Sequence, residues 1–163
     1  MKQLWTKWGE ELRENPEKIP LPEYPRPSLV RKKWTCLNGN WEYAIRKKTG
    51  PAQSKTPVRI KQQEVREGQE TWEENGFPQT MDGTIRVPFS PECALSGVLR
   101  QLLPGELLWY RRSFVFSGRR RGRKVLLHFG AVDQSAKVWV NGHFAGSHMG
   151  GYLPFTLEIS AFL

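Results

Sequence analysis

The plainest pattern along the chain lies in its last third, where apolar side chains fall on every second position. In "KVLLHFG", Val125, Leu127 and Phe129 share one face and His128 takes the other. In "AKVWVNGHFAGS", Val138 and Val140 alternate, Asn141-Gly142 is the pair preferred in a type I′ turn, and the chain returns through His143–Ser147. "FTLEIS" aligns Phe155, Leu157 and Ile159. The same period of two appears earlier, in Trp41, Tyr43 and Ile45 after an Asn38-Gly39 turn, and in "TIRVPF" (84–89). "LLWYRRSFVF" (107–116) puts Tyr110, Phe114 and Phe116 on one face. Alternation of this kind predicts half-buried strands. Trp139 points away from Val138 and Val140 and is expected to cover the second face or to meet a neighbouring domain.

A helical period appears once. In "WTKWGEELRE" (5–14), Trp5, Trp8 and Leu12 fall on one stripe, although Gly9 weakens the helix. Five of the twelve prolines then lie between Pro16 and Pro27. Proline fixes φ and removes a donor, so this stretch is expected to run extended across the domain, with Leu21 and Tyr24 to bury. From Arg46 to Gly83 the sequence is polar and irregular. "VRIKQQEVREGQETWEE" is open between strand and helix, and Trp72, Phe77 and Met81 are expected to pin this excursion to the body. Short strands at regular spacing, with hardly any helix, predict an all-β sandwich. The organisation expected is an arm over residues 1–30 and a sandwich over 31–163.

Composition narrows the class. With 163 residues, 38% hydrophobic and 25% charged, the chain suits one soluble domain with a real core. No apolar run approaches the ~18 residues of a membrane span. The start, "MKQLWTKWGE", lacks the apolar centre of a secretory signal, so a cytoplasmic location is the expectation. Cys36 and Cys93 form neither a disulfide framework nor a zinc spacing and read as buried thiols. A net charge of +9 raises nucleic acid as a partner. Of the two basic runs, Arg46–Lys48 and Gly118–Lys124, the second sits between two apolar alternations and reads instead as a solvated strand-to-strand turn, whose charge discourages edge pairing. No RNA-binding strand motif, helix-turn-helix or zinc pattern accompanies them, so neither nucleic acid nor membrane is predicted as a partner. His128, His143 and His148 show no ligand spacing, no phosphate loop is present, and no metal or cofactor is predicted.

Four segments in order carry a family resemblance: "YPRPSLVRKKWTCLNGNWEYAI", "TIRVPFSPECALSGV", "LLWYRRSFVF" and "VLLHFGAVDQSAKVWVNGHFAGSHMGGYLPFTLEIS". Together they resemble the N-terminal sugar-binding domain of glycoside hydrolase family 2, which includes β-galactosidases, β-glucuronidases and β-mannosidases. "LWYRR", "VWVNG" and "GGYLPF" at their mutual spacing are its most specific parts. The resemblance implies a jelly-roll β-sandwich of the galactose-binding type. It also implies that the complete enzyme meets carbohydrate, and that an immunoglobulin-like domain and a (β/α)8 barrel with two catalytic glutamates are absent from this chain. A retaining glycosidase needs two carboxyl groups ~5–5.5 Å apart. Asp133, Glu92 and Glu158 read instead as capping or solvated residues, so the chain alone is expected to be inactive.

In the galactosidase branch this domain lends an Asn and an Asp to the sugar site. The corresponding positions here are Ala94 and Gly150, a departure from simple galactose specificity, and "GGYLPF" is closer to glucuronidase-like members. Glu92, Ser96, His148 and Tyr152 are the candidates for the rim of a carbohydrate pocket. Trp109, Tyr110 and Arg111 read as structural, with rings and guanidinium stacking across strands. The resemblance also implies a truncated fragment that lacks a last strand, and an unfinished sheet edge predicts a homo-oligomer. A stand-alone carbohydrate-binding module, stacking sugars on Trp72 or Trp109, and a purely structural domain are the alternatives.

Overall fold

The structure, a computed structural model, describes residues 4–48, 77–116 and 122–163. Trp72, most of the polar excursion and most of the second basic run lie outside the described residues. The described chain forms two compact units: residues 4–48 with 78–113, and residue 77 with 114–116 and 122–163. Both are built on antiparallel strands, as the alternation predicts. Among the described residues no helix is long and apolar enough to cross a membrane.

In the first unit, α1 (Lys7–Glu14) starts at Thr6, whose hydroxyl accepts the Gly9 N–H at 3.1 Å. Its covered line is Trp5, Gly9 and Leu12, and Trp8 is 73% exposed. This corrects the expected stripe. A Cβ on Gly9 would sit 3.3 Å from the Thr6 hydroxyl, 3.4 Å from the Trp5 ring and 3.8 Å from Leu95, so this face of the helix has room for little more than a methyl group. In the arm, Pro20 is buried and Tyr24 stacks edge-on against Trp34 at 4.7 Å, but Leu21 is exposed at a φ of 47°. Asn38 donates to the Pro20 carbonyl at 2.9 Å and ties the arm down.

The sheet of this unit has the order β2-β1-β3, with β1 at Gly39–Lys47, β2 at Gly83–Val87 and β3 at Glu106–Arg111. The central strand β1 is covered on both faces, so Ala44 and Ile45 are both buried. Glu42 lies opposite Arg111, which forks onto it at 2.6 and 2.8 Å. Tyr110 meets Trp41 edge to face at 6.4 Å. The strand expected over 107–116 stops at Arg111. The Arg112 guanidinium occupies the Asn38 and Asn40 carbonyls, at 3.2 and 3.0 Å, and lies 6.0 Å over Trp41. Phe114 and Phe116 therefore share no strand face with Tyr110. Arg112 thus lies over a ring beside the Arg111–Glu42 pair.

In the second unit, β4 (Leu126–Phe129) pairs with β7 (Phe155–Glu158), and β5 (Ser135–Val140) pairs with β6 (His143–Met149). Asn141 and Gly142 have φ values of 50° and 88°, the left-handed pair that a type I′ turn needs. Ala136, Phe144, Ala145 and Ile159 are buried. A register shift between Val138 and Trp139 breaks the simple alternation and sets Trp139 edge-on to Phe144 at 5.8 Å. Trp139 thus packs within its own hairpin. Cys36 and Cys93 are free and half-buried, less covered than expected.

Candidate functional site

The four sequence candidates fall on two loops, one in each unit. Ser96 ends a 3-10 turn (Ala94–Ser96) and is 2% exposed. Its hydroxyl donates to the Pro91 carbonyl at 3.2 Å and accepts the Val98 N–H at 3.0 Å. Both bonds stay inside the loop, so this side chain staples the turn. Gly97, at φ 82°, supplies the left-handed residue that closes it. Glu92, on the same loop, is exposed and accepts the Leu102 N–H at 3.3 Å. Its own backbone N–H first, then that of Leu102 and the Ser90 hydroxyl, hold its carboxyl below the usual range. Burial, and secondarily the Glu92 charge, pushes the Tyr110 phenol up.

Beside this loop sits a residue that the sequence reading passed over. Arg86 on β2 is 8% exposed. Its guanidinium donates to the Leu12 carbonyl at 2.7 Å, the Asn15 carbonyl at 2.8 Å and the Pro16 carbonyl. The Leu12 carbonyl is one of the last acceptors of α1 and those of Asn15 and Pro16 follow directly after it, and a cation suits that end of the helix.

The second loop is "HMGGYLPF". His148 closes β6 with its ring parallel to Phe155, centroids 4.4 Å apart, and Phe155 in turn stacks on Phe129 at 4.6 Å. The imidazole Nε2 is buried and has no hydrogen-bond partner among the described residues. Gly150, at φ 119°, donates its N–H to the Gln134 carbonyl at 2.7 Å. A Cβ on Gly151 would lie 2.6 Å from Asp133 Oδ1 and 3.1 Å from its Cγ. Asp133 therefore packs flat against the glycine backbone, while Tyr152 is 97% exposed. Asp133, from the segment between β4 and β5, thus sits against the turn that follows β6, and the stacked imidazole of His148 and the exposed ring of Tyr152 flank that turn in sequence. The structure adds Asp133 to His148 and Tyr152; its signal in the sequence is the paired glycine facing it.

This set can accept and donate hydrogen bonds to hydroxyl groups and can offer an aromatic face. A catalytic general acid carries a raised carboxyl pKa, whereas Glu92 is lowered. Glu158 is lowered as well, first by its bond from Lys124 at 2.7 Å and also by Ser160.

Comparison with known proteins gives this geometry a family. The model described as "Glycosyl hydrolases family 2, sugar binding domain" matches residues 34–163. The chain is 47% identical over 55 residues to a β-galactosidase of Thermoanaerobacter pseudethanolicus, covering 34% of this chain and 7% of the relative. It is 29% identical over 92 residues to a putative β-glucuronidase of Formosa agariphila, covering 56% of this chain and 10% of the relative. The chain thus spans a tenth or less of either relative. Among solved structures, a Faecalibacterium prausnitzii β-glucuronidase shares the fold at a TM-score of 0.50 and 23% identity, over 83% of this chain and 20% of that one.

Proposed function

Because this chain belongs to the sugar-binding domains of glycosyl hydrolase family 2, we propose that it forms the substrate-side, non-catalytic part of a β-glycosidase. In this reading Asp133, His148 and Tyr152 present the rim of the sugar site, and the cleaving carboxylates lie in parts of the protein outside these 163 residues. The observation that carries the proposal is the seat of Asp133 against Gly151, which holds a carboxylate beside the turn that runs from the His148 imidazole to the Tyr152 ring. The lowered carboxyls of Glu92 and Glu158 support the absence of a general acid among the candidates. The names of the relatives support a β-galactoside or β-glucuronide as substrate of the whole protein.

The test has two readouts on the purified chain. Nitrophenyl β-galactoside and β-glucuronide are expected to give no release above buffer; turnover that disappears in Asp133→Ala or Glu158→Ala overturns the reading. Monosaccharides are expected to shift the amide signals of residues 148–152 with a Kd weaker than ~1 mM, about −4 kcal/mol. Micromolar binding at the exposed Tyr152 would favour a stand-alone carbohydrate-binding module instead.

A further inference from the structure

A second concave surface lies in the first unit, between α1, the β1–β2 ladder and the Ala94–Ser96 turn. It has a volume of about 270 Å³, and its lining includes Trp5, Arg13, Asn40, Thr84, Arg86 and Leu95. Two guanidinium groups and no carboxylate line this groove. Arg86 is committed to carbonyls in and just beyond the last turn of α1 and lends charge but few free donors. Arg13 is different. Its guanidinium lies over the Trp5 ring, 5.5 Å from the centroid, and makes no ion pair or hydrogen bond among the described residues. The Asn40 amide and the Thr84 hydroxyl are likewise uncommitted among the described residues, and both are exposed. Trp5 and Arg13 precede residue 34, where the family match begins; Asn40, Thr84 and Leu95 lie within it.

We propose that this groove is a second carbohydrate site, selective for a sugar that carries a carboxylate, a hexuronate. A guanidinium resting over an aromatic ring, with its N–H groups unspent, has its fork of donors available for a planar carboxylate. The apolar bodies of Trp5 and Leu95 offer a surface to a pyranose ring, and an amide and a hydroxyl are the usual partners of sugar hydroxyls. The uncompensated positive charge rewards an anionic ligand over a neutral one. The proposal shares with the preceding reading only that the chain meets carbohydrate.

The experiment is an amide and indole NMR titration of the ¹⁵N-labelled full chain with sodium glucuronate, glucose and sodium phosphate at equal ionic strength. Glucuronate is expected to shift the Trp5 indole and Asn40 side-chain signals with a Kd in the millimolar range, about tenfold tighter than glucose. Arg13→Gln, on an exposed helix position, is expected to bring glucuronate down to the level of glucose, and Asn40→Ala to weaken both sugars. His148→Ala leaves these shifts unchanged, which separates this site from the loop of the preceding reading. Equal affinity for glucuronate in the wild type and Arg13→Gln overturns the proposal, as does the absence of shifts at Trp5 and Asn40. Phosphate binding as tightly as glucuronate, with glucose silent, would reduce the groove to a general anion site and also overturn it. If Arg13→Gln loses signal dispersion, Arg13→Ala takes its place with the same expectation, since it too removes both the charge and the fork.

Discussion

Replacing Gly151 by alanine tests whether Asp133 and the double glycine form one packed unit. The new Cβ would lie 2.6 Å from Asp133 Oδ1, 3.1 Å from Cγ and 3.3 Å from Cβ. Carbon contacts are comfortable at about 3.5–4.0 Å, so the worst overlap approaches an ångström. Rotating the carboxylate relieves only the first contact, because the root of the Asp133 side chain is also close. The backbone must then give, and with it the Gly150 N–H bond to Gln134. Overpacking of this kind costs about 1–3 kcal/mol. Asp133→Ala alone removes an exposed carboxylate and should cost within about 0.5 kcal/mol. In the double variant the two closest clashes are gone, so part of the Gly151→Ala loss should return, a coupling of about 1 kcal/mol. Urea unfolding followed by tryptophan fluorescence measures all four corners, and the Gly150 amide shift reports whether the loop bond has moved. Additivity within about 0.3–0.5 kcal/mol, or a Gly151→Ala variant as stable as the parent, refutes the packing argument.

Two further outcomes follow from the first unit. Arg86→Met keeps bulk but strips the donors from the Leu12, Asn15 and Pro16 carbonyls, in and just beyond the last turn of α1; it should cost about 2–4 kcal/mol and raise hydrogen exchange in residues 7–14 first. Unchanged exchange there would show that packing alone holds the helix. Acid should also destabilise this unit. Asp82 is held below the usual carboxylate range by the Ile45 N–H first and Arg46 second, and Glu42, Glu92 and Glu106 are lowered too. A lowered folded pKa contributes stability that is present above the unfolded value, about pH 4, and lost as pH falls through the folded one. Asp82→Asn should therefore flatten the fall in stability below about pH 4, and an unchanged slope would remove Asp82 from the account.

The strands were legible because alternation is a local property. Val125 to Phe129 and Phe155 to Ile159 needed no partner to reveal their faces, and Asn141-Gly142 declared its own turn. The failures mark places where a distant group intervenes. The strand after Leu107 looked as though it ran to Phe116, but Arg112 takes the Asn38 and Asn40 carbonyls and ends it. In α1 the period was right and its phase wrong. Trp8 outweighs a glycine on any hydrophobicity scale, yet it is Gly9 that is buried, facing Trp5 and Leu95, while Trp8 is exposed.

The candidate chemistry was harder to read for a related reason. Ser96 and Glu92 carry side chains that look available, but their partners are backbone groups of Pro91, Val98 and Leu102, which no residue name encodes. Arg86 is the extreme case: a charge in an alternating strand, buried by carbonyls from residues more than seventy positions earlier. Asp133 shows the reverse. It looked like an ordinary loop acid, and what singles it out is the missing Cβ of Gly151. Side-chain identity thus predicts the strands well and the partners of single polar residues poorly, because the strands are set by which side chains alternate. Those partners are set by which backbone groups come close. The glycines and lone charges within otherwise regular segments are where a reading of such a chain should look first.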